Sequence, residues 1–520
     1  MSVGAAAPDL RRPAAPTQAS RGRAALADPA VIAVSALTLV AAVLRFYRLG
    51  HQGFWFDEGN TALLVHFSPG KMLGLIPQTE STPPLYYCVA WIWARVFGYG
   101  ETGLRSLSAV CGVLMVPVVY AAGARLISRR AGVIAAALAT CSPLLIWYSQ
   151  EARSYQMLAL LASLSLLAFA YARVAPTPRV LVAWVLASAL ALATHYYAVL
   201  AVVPEACWLL WVHRSRRPVQ VAVAVVAVCG LGLIPLAISQ HGTGRGNWIS
   251  SAPFGRRLGQ IVPQFVSGFE GPAHGVFEPV AIAVAVLALV LLVSRSSGSE
   301  RRGALVAGGL ALAGFVLSLL LVAVGFDDLL TRNMLAIWGA CALLVAGGLA
   351  VPRPRFVGVV AAGVLCVMGV TTALGVAFDR TYERPDWRGV ASALGTRAPS
   401  GGRAILVQHY RDLLPLSLYV PGLKFWRGGG GERVGEFDVV SFTSPASSGF
   451  CWWGSACNLW PSHAQSSYPI PGFRPVSERH VLQFTVVRLV ASHPVRVTPA
   501  KVSRALTTTH LVNDELLTQR

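Results

Sequence analysis

"PPLYYCVAWIWARVFG", residues 83–98, is the stretch on which the architecture turns, because counting it as a membrane span reverses the orientation of everything after it. Its apolar part, Leu85 to Phe97, would rise only about 20 Å as a helix, short of the roughly 30 Å of hydrocarbon in a bilayer. It also carries Arg95 and opens on two prolines. The arginines elsewhere decide the matter. If 83–98 lies along the interface, the connections "GARLISRR", "RVAPTPR", "HRSRRP", "RSSGSERR" and "PRPR" all fall on the side of the arginine-bearing N-terminus, as the positive-inside rule requires. If it crosses, all of them fall outside.

The other apolar runs lie at 30–47, 104–123, 132–148, 155–173, 179–194, 196–213, 219–237, 276–294, 303–325, 333–350 and 356–377, which makes about eleven spans. With 55% hydrophobic and 13% charged residues and a mean hydropathy of +0.57, the chain reads as an α-helical polytopic membrane protein. A net charge of +20 would point to nucleic acid in a soluble protein. Here most arginines sit in short connections and set topology, so no nucleic-acid partner is expected. The first run lacks a small-residue cleavage site and is read as a retained anchor. Three lysines against forty arginines, with abundant Ala, Val and Gly, suggest a GC-rich bacterial genome.

The domains expected are a disordered cytoplasmic tail (1–29), a transmembrane domain (30–378) with a large first outer loop (48–103), and an extracytoplasmic α/β domain (379–520). In the last, "GGRAILVQ", "RDLLPLSLYV", "EFDVVSFTS" and "HVLQFTVVRLV" read as strand, helix, strand and strand. An odd number of spans puts this domain outside, where a Cys451–Cys457 disulfide is permitted. The expected location is the plasma membrane.

Eleven Asp and Glu residues lie between 30 and 378. On this topology Asp57, Glu58, Glu80, Glu101, Glu151, Glu270, Glu278, Asp327 and Asp328 are at the outer face. Glu300 is cytoplasmic and Glu205 intramembrane. Charges near a bilayer are costly, so the outer face is where chemistry is sought. There "GFWFDEGNTALL" (53–64), "TESTPPLYY" (79–87), "YSQEARSY" (148–155), "THYY" (194–197) and "DDLLTRN" (327–333) bring carboxylates, a histidine, arginines and aromatics to one level. Such a site could hold an anionic lipid head group on arginine while a carboxylate takes a proton from a hydroxyl. Adjacent carboxylates near low dielectric would make one of the pair a better base.

The ordered set, a first span, an Asp-Glu pair, "PPLYY", an arginine-rich turn, an "AR" loop, a "T(K/H)Y" element and a late arginine, resembles the GT-C superfamily of membrane glycosyltransferases. The likeness is strongest to the branch with protein O-mannosyltransferases and the lipid A aminoarabinose transferase, and covers roughly 30–350. It implies inverting transfer of a sugar, mannose or a pentose, from a polyprenyl-phosphate donor to an extracytoplasmic cell-envelope glycan, glycolipid or protein. The catalytic acid of the family falls on Asp57, with Glu58 beside it. The phosphate-binding arginine falls on Arg332, with Arg153 and His195 as further phosphate ligands, and Pro83, Pro84, Tyr86 and Tyr87 as the wall of the carrier site. Many members follow "AR" with Pro-Asp where this chain has Ser154 and Tyr155, so Glu151 is the candidate second acid.

Plainer roles compete with these. Asp57 could cap a helix, and Arg332 could snorkel from the start of a span. Glu205 is expected to be hydrogen-bonded and without function. "HGTGRGNW" (241–248) follows a span and not a strand, so it is no phosphate loop. Trp452, Trp453 and Trp460 could stack on sugar or pack a core. No metal ligand spacing is present, although the carboxylates are compatible with a divalent metal. The alternative function is a lipid-linked sugar or polysaccharide transporter, which should show internal repeats and broken midplane helices.

Overall fold

The structure is a computed structural model describing residues 28–269, 271–353, 355–395, 400–407, 414–426, 430–442, 469–505 and 515–520. The expectations for the tail before residue 28, for Glu270, and for Cys451, Cys457, Trp452, Trp453 and Trp460 fall outside the described residues.

Among the described residues, nine helices are long and apolar enough to cross a membrane, or ten if a bent pair counts as one span. They are Pro29–Phe46, Glu101–Leu126, Tyr155–Ala172, Tyr196–His213, Arg217–His241, His274–Arg295, Gly298–Ala323, Thr331–Leu349 and Arg355–Phe378. Pro178–Thr194, of 17 residues, matches the expected run at 179–194 but is shorter than these. The stretch at 83–98 forms the short helix Leu85–Phe97. Tyr86, Tyr87, Ala90 and Ala94 are its buried stripe, while Ile92, Val96 and Phe97 are exposed on the other side. Trp93 anchors it by donating to Gly103 O and Ser106 Oγ.

The run at 132–148 is not the continuous span that its apolar composition suggests. It breaks into Arg129–Cys141 and Pro143–Ser149, bent by 56°. The carbonyl of Ala139 would bond to the N–H at position 143, and proline has none. In an apolar surrounding a freed carbonyl needs another donor. Arg45, fully buried, supplies it: Nη2 donates to Ala139 O at 2.8 Å and Nη1 to Thr140 O at 3.1 Å. Ser142 then caps the new helix by accepting from Leu145 N at 3.3 Å. Elsewhere small residues let helices touch backbone to backbone. A Cβ added at Gly348 would collide with Ala288 O, and one at Gly303 with Leu126 O.

One end of the bundle gathers the site. Gln150 donates to Arg45 O and Tyr47 O, and Arg105 to Leu49 O and Gln52 O. At the opposite end Arg130 donates to Val351 O and Arg355 O, and Arg129 pairs with Asp28. The loop at 48–103 folds into Phe56–His66, Pro69–Thr79 and Leu85–Phe97, all at the first end.

Among the described residues the C-terminal region carries a six-stranded sheet. In chain order the strands are β1 (Arg403–Val407), β2 (Lys424–Phe425), β3 (Glu432–Phe442), β4 (Arg474–Val481), β5 (Phe484–Val497) and β6 (Glu515–Gln519), arranged β2-β6-β1-β3-β5-β4. Only β1 and β3 run parallel, and helices Trp387–Leu394 and Leu414–Tyr419 pack on the sheet through Trp387, Leu394, Leu416 and Phe484. "HVLQFTVVRLV", read as one strand, is a hairpin turning at Leu482–Gln483. Leu482 has φ 49°, a conformation that usually recruits Gly or Asn, so the sequence carried no turn signal.

Candidate active site

The helix Phe56–His66 begins where the chain leaves the first span, and its N-terminus presents Asp57 and Glu58 in the first turn, where the helix dipole favours negative charge. The two carboxylates then part company. Glu58 is fully buried and saturated. It accepts from Arg105 Nε at 2.7 Å, Arg105 Nη2 at 2.6 Å, Ala152 N at 2.8 Å and Trp55 N at 3.5 Å. Burial opposes its ionisation, but the charge of Arg105, with Arg384 and the Ala152 amide, outweighs burial and holds its pKa below the usual value. With its lone pairs committed to the fold, Glu58 ties the loop to the bundle and is not the improved base expected of the pair.

Asp57 is half-buried and turned the other way. Its Oδ2 accepts from Arg332 Nη1 at 2.9 Å, with the side chains 19% and 11% exposed, so water or substrate can reach both. Arg332 also lies over the rings of Tyr155 and Trp248, at 5.4 and 5.7 Å from their centroids. A recess opens beside it, lined by Tyr148, Trp248, Arg257, Gln260 and Phe269, between the bundle and the helix Phe254–Ser267. Asp327 holds Arg257 in a two-pronged pair, 2.7 Å at each oxygen.

Arg153 lies behind Asp57. Its Nη1 donates to Asp57 O at 3.2 Å and to Glu80 Oε2 at 2.9 Å. Tyr87 donates to the same Glu80 oxygen at 2.6 Å and contacts Thr82 Oγ1 at 3.0 Å. Burial raises the Glu80 pKa, with Arg153 opposing. Pro83, Tyr86 and Tyr87 are buried, so this part of the expected wall stands as a brace under the site; Pro84 is partly exposed.

His195 ends Pro178–Thr194 and accepts from Tyr197 N at 3.2 Å through Nδ1. Burial, aided by Arg153 and Arg332, lowers its pKa to about 3, so it sits as a neutral ring and brings no positive charge to a phosphate. Glu151 is buried, raised by that burial to about 7 against the pull of Arg384, and its Oε1 has no hydrogen-bond partner. Its Oε2 faces Arg384 Nη2 at 3.3 Å. Among the described residues no group of three or more His, Cys, Asp or Glu side chains is placed to hold a metal ion.

The structure thus brings Asp57, Arg332, Arg153, Glu151 and His195 to one end of the bundle, and adds Glu80, Arg105 and Arg384, which the motifs did not single out. Glu80 had a signal, as an acid at the outer face three residues before the prolines. Arg105 is a cation at the start of an apolar run, where a topology role masks a structural one. Arg384 lies past the last span, and nothing in "RTYERPDWRG" (380–389) announces a return to the site.

A partly open end of a helical bundle with a partly exposed carboxylate, a guanidinium 2.9 Å from it and an adjoining recess can bind an anion and deprotonate a hydroxyl. Residues 81–239 match the family described as dolichyl-phosphate-mannose-protein mannosyltransferase. Among solved structures, ArnT from Cupriavidus metallidurans bound to undecaprenyl phosphate aligns with TM-score 0.53 and 16% identity, over 88% of this chain and 98% of that one. The apo state of the same protein gives TM-score 0.55 and 15% identity over the same shares. No curated protein matches by sequence. The resemblance to the GT-C superfamily holds in both the family match and the fold.

Proposed function

We propose that this chain, a multi-span membrane protein with the GT-C glycosyltransferase fold, transfers a sugar from a polyprenyl-phosphate carrier to a hydroxyl of a cell-envelope acceptor at the extracytoplasmic face. The observation that carries the reading is the Asp57–Arg332 pair at 2.9 Å, partly exposed beside a recess. It joins a base and an anion site across one gap.

The donor phosphodiester competes with Asp57 for Arg332, whose guanidinium offers a planar fork of donors suited to phosphate. Asp57, released from the pair, accepts the proton of the acceptor hydroxyl as its oxygen attacks the anomeric carbon. The bond from that carbon to the phosphate oxygen breaks, and the carrier leaves as a phosphate monoester whose added charge Arg332 stabilises. Attack opposite the departing phosphate inverts the anomeric centre. Mannose and pentoses are the sugars favoured by the family likeness. Undecaprenyl phosphate, bound by ArnT, supports a polyprenyl-phosphate carrier.

The test is to give the purified protein radiolabelled polyprenyl-phosphate mannose and pentoses with cell-envelope acceptors. Free polyprenyl phosphate and labelled acceptor are expected together. Donor that is bound and translocated in vesicles but never cleaved would make the protein a transporter.

A further inference from the structure

Arg384 lies six residues beyond the last long apolar helix, Arg355–Phe378, yet its side chain is buried at the end of the bundle. Its guanidinium lies over Trp147, 4.2 Å from the ring centroid. Nη1 donates to Gln150 O at 3.1 Å, and Nη2 reaches Glu151 Oε2 at 3.3 Å. The backbone around it is fixed from both sides: Arg384 N donates to Gln52 Oε1 at 3.1 Å, and Gln483 of the β4–β5 turn donates to Glu383 O at 2.8 Å. The sheet region therefore inserts a cation against Glu151, a site carboxylate that, like Glu80, keeps a buried oxygen with no hydrogen-bond partner.

The same region braces the Asp57 helix. Tyr419 accepts from Phe54 N at 2.6 Å and donates to Glu101 at 2.7 Å. Pro415 packs on Gly59, where an added Cβ would lie 3.3 Å from its ring. Arg388 holds the carbonyls of Gly50 and His51. These contacts fix where Arg384 enters.

We propose that Arg384 is a positioning residue for the transfer reaction, its contact favouring the charged form of Glu151 behind the site, so that docking of the C-terminal region sets the local charge. The proposal rests on the glycosyl-transfer reading for its purpose, though not for its test. The charged and titratable groups around Glu151 are Arg384, Glu58, Asp57, Arg332, Tyr148 and Tyr155. Two of the carboxylates, Glu58 and Asp57, oppose ionisation of Glu151. Each has its own arginine, Arg105 and Arg332 respectively. Arg384 is the cation in contact with Glu151. Without it burial would keep Glu151 protonated at neutral pH.

The experiment is carbodiimide labelling of the full-length protein in detergent across pH 5–10, read at Glu151 by peptide mass spectrometry. Carbodiimides react with protonated carboxyls, so the labelling midpoint reports the protonation of Glu151 directly, and Glu151→Gln gives the blank. Arg384→Gln should raise the midpoint by at least about one pH unit, the size expected for loss of a contacting opposite charge. Arg384→Lys, which keeps the charge at shorter reach, should move it only part of the way. In turnover assays the rising, low-pH limb of the pH–rate profile should move up with the labelling midpoint of each variant, with the donor KM changed less than kcat. A midpoint unmoved in Arg384→Lys and in Arg384→Gln overturns the proposal. A shifted midpoint in a protein that never cleaves a polyprenyl-phosphate sugar sustains the Arg384–Glu151 coupling and sinks the glycosyl-transfer reading instead.

Discussion

Arg332 Nη1 and Asp57 Oδ2 are 2.9 Å apart although 275 positions separate them in the chain. The pair closes the site from opposite ends of the membrane region. One partner comes from the first turn after the first span, the other from the start of Thr331–Leu349. Because both side chains are partly exposed, their mutual attraction is screened and can be given up to a ligand.

That exchange predicts competition. Binding of undecaprenyl phosphate should weaken in Arg332→Ala by at least about ten-fold, as expected for loss of a charge-assisted pair of hydrogen bonds. It should hold or strengthen in Asp57→Asn, which removes the competing carboxylate. Native mass spectrometry or microscale thermophoresis with the carrier alone checks this. Equal affinity in wild type and Arg332→Ala would remove Arg332 from the phosphate site.

Glu58 and Arg105 form a pair buried at 0% and 2% side-chain exposure. Removing one partner strands the other, which typically costs about 3–5 kcal/mol. Arg105→Ala should therefore fail to express stably or melt well below the wild type, whereas Glu58→Gln, which keeps a hydrogen-bonding oxygen, should be milder. Thermal unfolding in detergent measures both. A Glu58→Gln variant that folds normally and loses only turnover would return Glu58 to the chemistry.

In the sheet region Asp438 on β3 is fully buried beside Glu436, with Arg403 and Arg488 within 3.6 Å. Burial and then Glu436 push its pKa up to about 7, against the two arginines. A carboxyl with a folded pKa above its unfolded one binds its proton more tightly when folded. Its contribution to stability is therefore full at low pH and is lost as pH rises from about 4 to 7, with a slope of at most about 1.4 kcal/mol per pH unit. Melting curves across that window should show the loss, and Asp438→Asn should flatten it. An unchanged slope in Asp438→Asn would assign the dependence elsewhere.

Tyr419→Phe removes the phenol that accepts from Phe54 N and donates to Glu101. One hydrogen bond is worth about 1 kcal/mol net, so the Phe54 amide should exchange with solvent about five-fold faster. Hydrogen–deuterium exchange over residues 50–60 reads it. No change there would mean that the C-terminal region does not brace the Asp57 helix.

Most of the architecture was legible because a bilayer writes strong constraints into sequence. Apolar length gave the long helices, and arginine placement kept 83–98 apart as the short helix Leu85–Phe97. The break at Pro143 was hidden by continuous apolar composition, since the residue that repairs it, Arg45, lies on another helix. Asp57 and Arg332 were singled out through the resemblance of the ordered motifs to a known family, and the two side chains lie 2.9 Å apart. The separate fates of Asp57 and Glu58 were not legible, because helix periodicity points neighbours about 100° apart while only tertiary contacts say which direction is filled. The neutral state of His195 and the return of Arg384 depend likewise on burial and docking, which no local pattern records.

The central claim is that Asp57 takes the acceptor proton while Arg332 holds the carrier phosphate. The most direct measurement is a binding-and-turnover pair on one variant: Asp57→Asn with a radiolabelled polyprenyl-phosphate sugar that the wild type cleaves. Donor binding should be at least as tight as wild type, with turnover reduced by about 10²-fold or more, the range for loss of a positioned base. Turnover at the wild-type rate would contradict the claim and leave Asp57 as an Arg332 partner that only holds the helix in place.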